Sequence, residues 1–433
     1  MIATVIISLA TCLCLVLSVL FFPKITIAKK QLGTYWMVGL IGAVLVVCFG
    51  GISFSEVLAG LTNDTSINPL KILVLFVAMT FISVFLDEMG FFKYLATLAT
   101  KKAKSNQISL FLILYFLVSV LTVFTSNDIV ILTFTPFICY FAKNTKINPV
   151  PYLVAEFAAA NTWSMMLIIG NPTNIYLATA AGIDFIPYFK VMALPTLLAG
   201  AVEIALILLI FHKALKQPLQ AEVEEIKLTN KGFTFIGLFH LIACLILLVI
   251  ASYIQLEMWL ICLICAASLI TCTIILCIAK KQKPVMLKST TKRLPWELIP
   301  FVISMFILVL ALQKQQVTNL LGNLLGESNI ILKYGFTSFL ACNLMNNIPM
   351  SVLFSAITQT LSSSVASQAV YSTIIGSNIG AFLTPIGALA GIMFTGLISQ
   401  QKVKYTFLDF VKYGTVIAIP TITAALLGLM IIL

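Results

Sequence analysis

Charged residues are scarce in this sequence. Asp, Glu, Lys and Arg make up 9% of the 433 residues, whereas 61% are hydrophobic. Soluble domains carry about 25% charged residues, so this composition excludes an ordinary soluble fold. Apolar runs recur from one end of the chain to the other, and they have the length of about 20 residues at which an α-helix crosses a bilayer. The sequence therefore predicts an all-α polytopic membrane protein.

Side chains that bind metals or carry out catalysis are few and dispersed. The two histidines, His212 and His240, lack neighbours typical of a metal site, so no metal is expected. Cys262 and Cys265 form a C-x-x-C pair inside an apolar run without a second pair, which favours packing over redox chemistry. The chain has no phosphate-binding loop, and no Ser/His, Asp/Asp or Glu/His pair indicates an intramembrane enzyme. The sequence predicts neither an enzyme nor a bound cofactor.

Basic residues cluster in alternate loops between the apolar runs. The formal net charge is +11, yet only four of the 26 basic residues are placed outside one set of loops: Lys71, Lys190, Lys314 and Lys333. This is the positive-inside pattern of a membrane protein, so no nucleic-acid partner is predicted. The pattern predicts a multi-pass protein of the plasma (inner) membrane with both termini outside.

The first half of the chain, residues 1–211, is predicted to contain five spans and one re-entrant hairpin. Residues 108–142 form two apolar arms around a polar tip and carry lysines near both ends, so both ends are expected at the cytoplasmic face. Arms of about 16 residues reach about 24 Å as helix, which places the tip near the middle of the membrane. The span at 150–181 is broken by the segment GNPTN. Asp87 and Glu88 end a span near the cytoplasm and are interpreted as solvated.

The second half, residues 232–433, is predicted to repeat this plan. A charged cytoplasmic linker at 212–231 separates the two halves. A second hairpin is predicted at 331–360 and a second broken span at 368–395. Because each half has an odd number of crossings, the two copies must be inverted relative to each other, as in many secondary transporters.

The spacing of polar residues supports the repeat. Asn161 to Gly170 and Asn378 to Gly387 are both nine residues. The segment from the first hairpin tip to Asn161 is 34 residues long, and the corresponding segment that ends at Asn378 is 32. We therefore interpret the two sets of interruptions as copies of one plan.

Four polar breaks interrupt the apolar runs. Irregular backbone is tolerated at membrane depth only where protein or a water-filled cavity covers it. Two hairpin tips that face two broken helices would bring helix N-termini, free carbonyls and Asn side chains to one site at the midplane. A single proline would indicate a structural kink, but four breaks flanked by Asn or Thr favour a substrate site. The breaks are SND at 126–128, GNPTN at 170–174, MNN at 345–347 and TPIG at 384–387.

Three segments resemble a known group of transporters. SNDIVILTFTP, IGNPTNIYLATAAG and GSNIGAFLTPIGALAG resemble the arsenite permease (arsenical pump membrane protein) family of the ion transporter superfamily. The resemblance implies an elevator-type motion and export of arsenite or antimonite, driven by proton exchange or by an associated cytoplasmic ATPase subunit. Together with the break at 170–174 and the spacing to Asn161, it predicts substrate- or ion-binding roles for Ser126, Asn127, Asp128, Asn161, Gly170, Asn171, Thr173, Asn174, Asn346, Asn347, Asn378, Thr384, Pro385 and Gly387. The oligomeric state stays open, a homodimer included.

Two carboxylates are candidates for coupling solute movement to protons. Asp128 lies at the predicted tip of the first hairpin, and a carboxyl that can be neutral or charged is suited to carry a proton against the substrate. Glu156 lies five residues before Asn161. It is either a second proton carrier or a residue that reaches the cytoplasmic interface.

The breaks lack basic residues, which bears on the substrate. The nearest are Lys143 and Lys333, at the bases of the hairpins. A helix N-terminus offers roughly half a unit of positive charge, so a multivalent anion would be poorly balanced there. Arsenite, As(OH)3, is uncharged at neutral pH and can exchange its water hydrogen bonds for Asn, Ser, Thr and backbone groups. The predicted function is proton-coupled efflux of arsenite or antimonite; the alternatives are a sodium-coupled citrate- or succinate-like symporter, a sodium/proton antiporter, and a channel.

The charge pattern gives a test of topology. The loops at 212–231 and 280–295 should be reached only from the cytoplasm, and the tip at 344–350 should be approached from outside. In a cysteine-free background, we expect Lys288→Cys to react with a membrane-impermeant thiol reagent in everted vesicles and not in intact cells. Labelling at this position in intact cells would contradict the orientation.

Overall fold

The computed structural model describes residues 1–22, 24–27, 30–63, 68–103, 106–217, 230–251, 254 and 256–433. Most of the linker predicted at 212–231 lies outside these residues. The described chain is helical, apart from a short antiparallel hairpin of two strands, β1 (Lys24–Ile27) and β2 (Lys30–Gly33).

The helices of the first half are as follows: α1 (Ile2–Phe21), α2 (Tyr35–Cys48), α3 (Phe54–Thr62), α4 (Pro69–Glu88), α5 (Phe91–Ala103), α6 (Gln107–Phe124), α7 (Asn127–Thr145), α8 (Val150–Ser164), α9 (Pro172–Ala180) and α10 (Phe185–Leu215). A 3-10 turn, Ile168–Gly170, lies between α8 and α9. Helices α6 and α7 cover the predicted first hairpin, and α8 and α9 cover the first broken span.

The second half likewise contains ten helices in its described residues. They are α11 (Lys231–Ile250), α12 (Met258–Ala279), α13 (Val285–Arg293), α14 (Leu298–Lys314), α15 (Val317–Leu325), α16 (Ile330–Met345), α17 (Asn347–Thr358), α18 (Ser363–Gly380), α19 (Leu389–Gln400) and α20 (Phe407–Ile432). Helices α16 and α17 cover the predicted second hairpin, and α18 and α19 cover the second broken span.

Helix packing also has a paired pattern. Helix α6 packs against α8, and α16 packs against α18. Helix α4 packs against α12, and α14 packs against α2. The second arm of each hairpin packs against the broken helix of the other half, α7 on α19 and α17 on α9. The hairpins and broken helices of the two halves are therefore interleaved around one centre.

Short polar side chains start several helices. Asn68 accepts hydrogen bonds from the backbone N–H groups at the start of α4, and Asn106 does the same for α6. Ser53 and Glu56 form a capping box at the start of α3. Such caps satisfy backbone donors that have no partner within the helix. Helix α2 ends at Cys48, just before Gly50, whose φ of 72° a glycine adopts without strain.

Seven apolar helical segments among the described residues are long enough to cross a membrane. One of them is α6, at 18 residues, which the sequence predicted as one arm of a hairpin; α1 and α2 contribute only shorter apolar stretches. The seven segments are Pro69–Glu88, Gln107–Phe124, Phe185–Leu215, Lys231–Ile250, Met258–Ala279, Val285–Lys314 and Phe407–Ile432. The protein is a multi-pass membrane protein.

The contact between α16 and α18 is close enough to require glycine. A Cβ atom at Gly376 would lie 2.0 Å from Ser338 Oγ and 2.3 Å from the Gly335 carbonyl oxygen. A Cβ atom at Gly380 would lie 2.5 Å from Cys342 Sγ. Small residues let two helix backbones approach in this way. This contact fixes the first arm of the second hairpin against the broken helix that carries Asn378.

We expect Gly376→Ala to destabilise the protein because its methyl group would overlap the backbone of α16. Overpacking of this kind costs about 1–3 kcal/mol. Thermal unfolding of the purified protein in detergent would measure the effect as a lower Tm. The matched control is Gly396→Ala in α19, where a Cβ atom would meet nothing within 4 Å. An equal Tm for the two variants would contradict the close contact.

Candidate functional site

The first hairpin tip lies between α6 and α7, at Thr125 and Ser126. The Ser126 hydroxyl is buried and has no hydrogen-bond partner among the described residues. The Asn127 side chain accepts a hydrogen bond from the backbone N–H of Asp128 at 2.9 Å. The Asp128 carboxylate accepts no hydrogen bond from the described part of the chain. This tip therefore offers an unpaired hydroxyl and an unpaired carboxylate next to an amide.

The second hairpin tip is formed by Asn346, which has φ 76°. Its side-chain Nδ2 donates to the carbonyl oxygen of Ile386 at 3.0 Å. The backbone N–H of Asn347 donates to the carbonyl oxygen of Gly387 at 2.9 Å. The second tip is therefore bound directly to the break in the second broken helix.

The break in the first broken helix is a turn between Ser164 and Pro172. Gly170 lies so close to the end of α8 that a Cβ atom there would be 2.2 Å from the Ser164 carbonyl oxygen. Asn171 then starts α9, because its Oδ1 accepts hydrogen bonds from the backbone N–H and the hydroxyl of Thr173 at 3.1 and 3.0 Å. Pro172 is the first helical residue, a position that needs no N–H donor.

The break in the second broken helix spans residues 381–388 and includes Thr384 and Pro385. The Thr384 hydroxyl donates to Asn343 Oδ1 at 2.7 Å. Asn343 Nδ2 donates in turn to the carbonyl oxygen of Gly380 at 2.9 Å, at the end of α18. A Cβ atom at Gly387 would lie 2.8 Å from the Gly380 carbonyl oxygen and 2.9 Å from Asn343 Oδ1, so the backbone contact favours glycine there.

Asn378 joins the broken helices of the two halves. Its Nδ2 donates to Asn174 Oδ1 at 2.6 Å and to the Ile374 carbonyl oxygen at 2.8 Å. Its Oδ1 lies 2.9 Å from both Asn171 Nδ2 and Ser164 Oγ. Asn378 is fully buried. Helix α18 of the second half is thereby bonded to α8 and α9 of the first half through uncharged groups.

The cluster continues to the first hairpin tip. Asn127 Nδ2 donates to Asn161 Oδ1 at 3.2 Å. Asn161 Nδ2 donates to the Phe157 carbonyl oxygen at 2.8 Å. Ser164 Oγ lies 2.7 Å from the Asn161 carbonyl oxygen, so Asn161 and Asn378 flank the same hydroxyl. We refer to the side chains of Asn127, Asn161, Ser164, Asn171, Asn174 and Asn378 as the amide cluster.

The predicted site residues fall into three groups. The amide cluster, with Thr173, brings most of the first-half residues together with Asn378. Around Asn343, the structure gathers Asn346, Asn347, Thr384 and Gly387. Gly170 and Pro385 contribute backbone at the two breaks, and the side chains of Ser126 and Asp128 have no hydrogen-bond partner within the described ranges.

Ser164 and Asn343 were missed in the sequence analysis. Ser164 lies three residues after Asn161, so the helical repeat places both on the same face of α8. Asn343 lies one turn before the second tip, on α16. Asn343 could have been identified by extending the predicted break at 345–347 one helical turn towards the N-terminus, and Ser164 by its position one turn after Asn161.

Two further carboxylates are buried among the same helices. Glu156 is 2% exposed, and both of its carboxylate oxygens lie within 3.1 Å of the Thr135 hydroxyl of α7. This burial argues against the alternative that Glu156 reaches a solvated interface. Glu203 of α10 accepts hydrogen bonds from the hydroxyls of Tyr115 and Thr162. Neither carboxylate pairs with a basic side chain in the described chain.

A multi-pass helical protein whose hairpins and broken helices meet at a buried polar cluster has the architecture of a secondary transporter. The sequence profile of the citrate transporter family (CitMHS) matches residues 25–373. The chain belongs to this family. It is a membrane transporter and a member of the ion transporter superfamily, and the resemblance stated from its motifs is confirmed.

Relatives share most of the chain. An "Arsenical pump membrane protein" of Escherichia coli is 25% identical over 418 residues, which cover 92% of this chain and 94% of the relative. A "46 kDa membrane protein" of Mycobacterium leprae is 26% identical over 410 residues, 91% and 92% of the two chains. The crystal structure of the Alcanivorax borkumensis YdaH transporter superimposes with a TM-score of 0.55 and 13% identity, covering 99% and 97%. The last comparison shows a shared fold.

We expect Asn378→Ala to abolish transport and to lower stability. The substitution leaves Asn171 Nδ2 and Asn174 Oδ1 without their partner, and a buried unpaired polar group costs about 1–3 kcal/mol. Solute flux in proteoliposomes and thermal unfolding would measure the two effects. Asn319→Ala, at an exposed position of α15, is the control and should behave as wild type. Normal flux through the Asn378→Ala protein would exclude the amide cluster from the transport pathway.

Proposed function

We propose that the protein exports arsenite and antimonite across the plasma membrane in exchange for protons. The observation that carries this proposal is the chemistry of the site: a cluster of uncharged amides and hydroxyls, beside the unpaired carboxylate of Asp128. Such groups can replace the hydration of a small neutral solute. The names of several relatives, which are called arsenical pump membrane proteins, point to the same substrate.

The distribution of positive charge supports a neutral solute. Within the described chain, the basic side chains that form ion pairs do so away from the breaks, Lys71 with Glu257, Arg293 with α4, and Lys314 with Glu56. Among the residues that the structure describes, no Lys or Arg hydrogen-bonds to a member of the amide cluster. A multivalent anion would have to leave water without a cationic partner, which costs several kcal/mol per charge. Uncharged As(OH)3 avoids that cost.

Asp128 supplies the proposed coupling. It starts α7 beside Asn127, which belongs to the amide cluster. Protonation of Asp128 removes the only charge at the first tip, and loss of the proton restores it. Solute and proton then compete for the same tip, which is the requirement for exchange. Glu156 is a candidate for a second proton, since Thr135 on the same arm donates to it.

We also propose that the two halves are inverted repeats and that the hairpins and broken helices move together as an elevator. The repeated order of elements and the interleaving of α7 with α19 and of α17 with α9 support this arrangement. The charge pattern supports an orientation with both termini outside. Two further proposals follow from the resemblance alone: a cytoplasmic ATPase subunit that docks on the basic inner loops, and a homodimer.

A second candidate function is sodium-coupled symport of a di- or tricarboxylate such as citrate. The family description, citrate transporter, is the observation that favours it. This function would need one or more bound cations to balance the substrate beside Asp128. The free oxygens at the first tip could contribute to such a cation site.

Everted membrane vesicles separate the two functions. With an acid lumen, we expect arsenite to accumulate in vesicles that contain the wild-type protein. Asp128→Asn should reduce accumulation to background, because the amide keeps the shape of the carboxyl and cannot carry a proton. Asp184→Asn is the matched control, since Asp184 is exposed before α10. If arsenite fails to accumulate while citrate or succinate flux requires sodium, the symporter function replaces the one proposed.

A further inference from the structure

The single arginine of the sequence, Arg293, connects the two halves of the chain. It ends α13 and bonds to both acidic residues that end α4. Its Nη1 donates to Glu88 Oε2 at 2.9 Å, and its Nη2 donates to Asp87 Oδ2. The Asp87 side chain is only 9% exposed. The interpretation of Asp87 as a solvated residue was therefore wrong, because its partner lies 206 residues away in the sequence.

The other oxygen of Asp87 reaches the first hairpin. Asp87 Oδ1 accepts a hydrogen bond from the Thr133 hydroxyl at 2.7 Å. Thr133 lies in α7, less than two helical turns after Asp128. A hydrogen bond to an ionised carboxylate is stronger than one between neutral groups. The contacts thus run without interruption from α13 through α4 to the arm that carries the first tip.

The contact between Thr133 and Asp87 can break without leaving a polar group unpaired. The Thr133 hydroxyl also lies 2.9 Å from the carbonyl oxygen of Ile129 in its own helix, and it has one hydrogen to donate. If α7 moves away from α4, the hydroxyl can donate to Ile129, and Asp87 keeps Arg293. Loss of a hydrogen bond costs little when both partners remain satisfied. This property distinguishes the contact from a fixed structural bond.

The corresponding ion pair of the other half makes no such connection. By element order, α3 and α14 correspond to α13 and α4, and Glu56 of α3 pairs with Lys314 of α14 at 2.7 Å. The two side chains are 43% and 44% exposed. The other hydrogen bonds of Glu56 go to Ser53 in its own capping box, and neither partner bonds to α17 within the described residues. Only the pair at the end of α4 therefore reaches a hairpin arm.

We propose that Arg293, Asp87 and Thr133 are positioning residues that set where α7 rests against α4. They act on the placement of Asn127 and Asp128, and they thereby set how often the first tip leaves its position during transport. They touch no solute themselves. The prediction for turnover rests on the proposed function, whereas the prediction for the dynamics of α7 does not.

Hydrogen–deuterium exchange of the purified full-length protein tests the positioning directly. Thr133→Val removes the hydroxyl and keeps the shape of the side chain. Because this variant removes the hydrogen bond between α7 and Asp87 of α4, we expect exchange in peptides of α7 to rise several-fold. Thr133→Ser, which keeps the hydroxyl, should match the wild type. Unchanged exchange in Thr133→Val would overturn the proposal, and so would a rise spread over the whole chain, which would indicate loss of global stability.

Transport kinetics in proteoliposomes provide the second readout. We expect Thr133→Val to change the turnover rate several-fold while the KM for arsenite stays within about twofold, since the groups that would bind the solute are untouched. Lys314→Gln, at the corresponding ion pair, is the control and should leave both parameters unchanged. A change in KM alone would contradict a positioning role. If the wild-type protein does not move arsenite at all, the proposed function fails, and the exchange experiment still decides the role of Thr133.

Discussion

The fold depends on hydrogen bonds to those buried backbone N–H and C=O groups that have no partner within a helix. Each break frees carbonyl and N–H groups that no water in a bilayer could satisfy. Asparagine side chains provide hydrogen bonds to these groups. Asn174 donates to the carbonyl oxygens of Ser164 and Leu167 in the first break, and Asn343 donates to that of Gly380 at the second. Because an amide carries both a donor and an acceptor, one asparagine can hydrogen-bond to the backbone of a break and to a neighbouring side chain at the same time.

This constraint also limits the chemistry of the site. The side chains that hydrogen-bond to one another around Asn378 are amides and a hydroxyl, so the cluster there is uncharged. An arginine or lysine in the same place would need a buried anion to pair with it. The amide cluster therefore offers many weak, directional hydrogen-bonding groups and no charged side chain. Such a lining suits a solute that exchanges one set of hydrogen bonds for another.

Local patterns in the sequence predicted the all-helical class, which the structure confirms, and they were the basis for placing the hairpins and the breaks. A polar interruption in an apolar run is visible without any tertiary information, as at 126–128 and 345–347. Contacts between distant segments were not visible. The bond of Ser164 to Asn378 joins residues 214 apart, and the pairing of Arg293 with Asp87 joins residues 206 apart. The short helices α3 and α13 escaped prediction because neither is apolar enough or long enough to stand out from a loop.

The two hairpin tips differ in how far their polar groups are already used. At the second tip, Asn346 and the backbone of Asn347 are bonded to the break in the second broken helix. At the first tip, the Ser126 hydroxyl has no hydrogen-bond partner among the described residues, and the Asp128 carboxylate accepts no hydrogen bond from them. A polar group that is already hydrogen-bonded must break that bond before it can bind a solute. A group without a partner forms a new hydrogen bond without losing one. Under the proposed function, solute and proton would therefore bind at the first tip, and the second tip would keep the position that its hydrogen bonds to the second broken helix define.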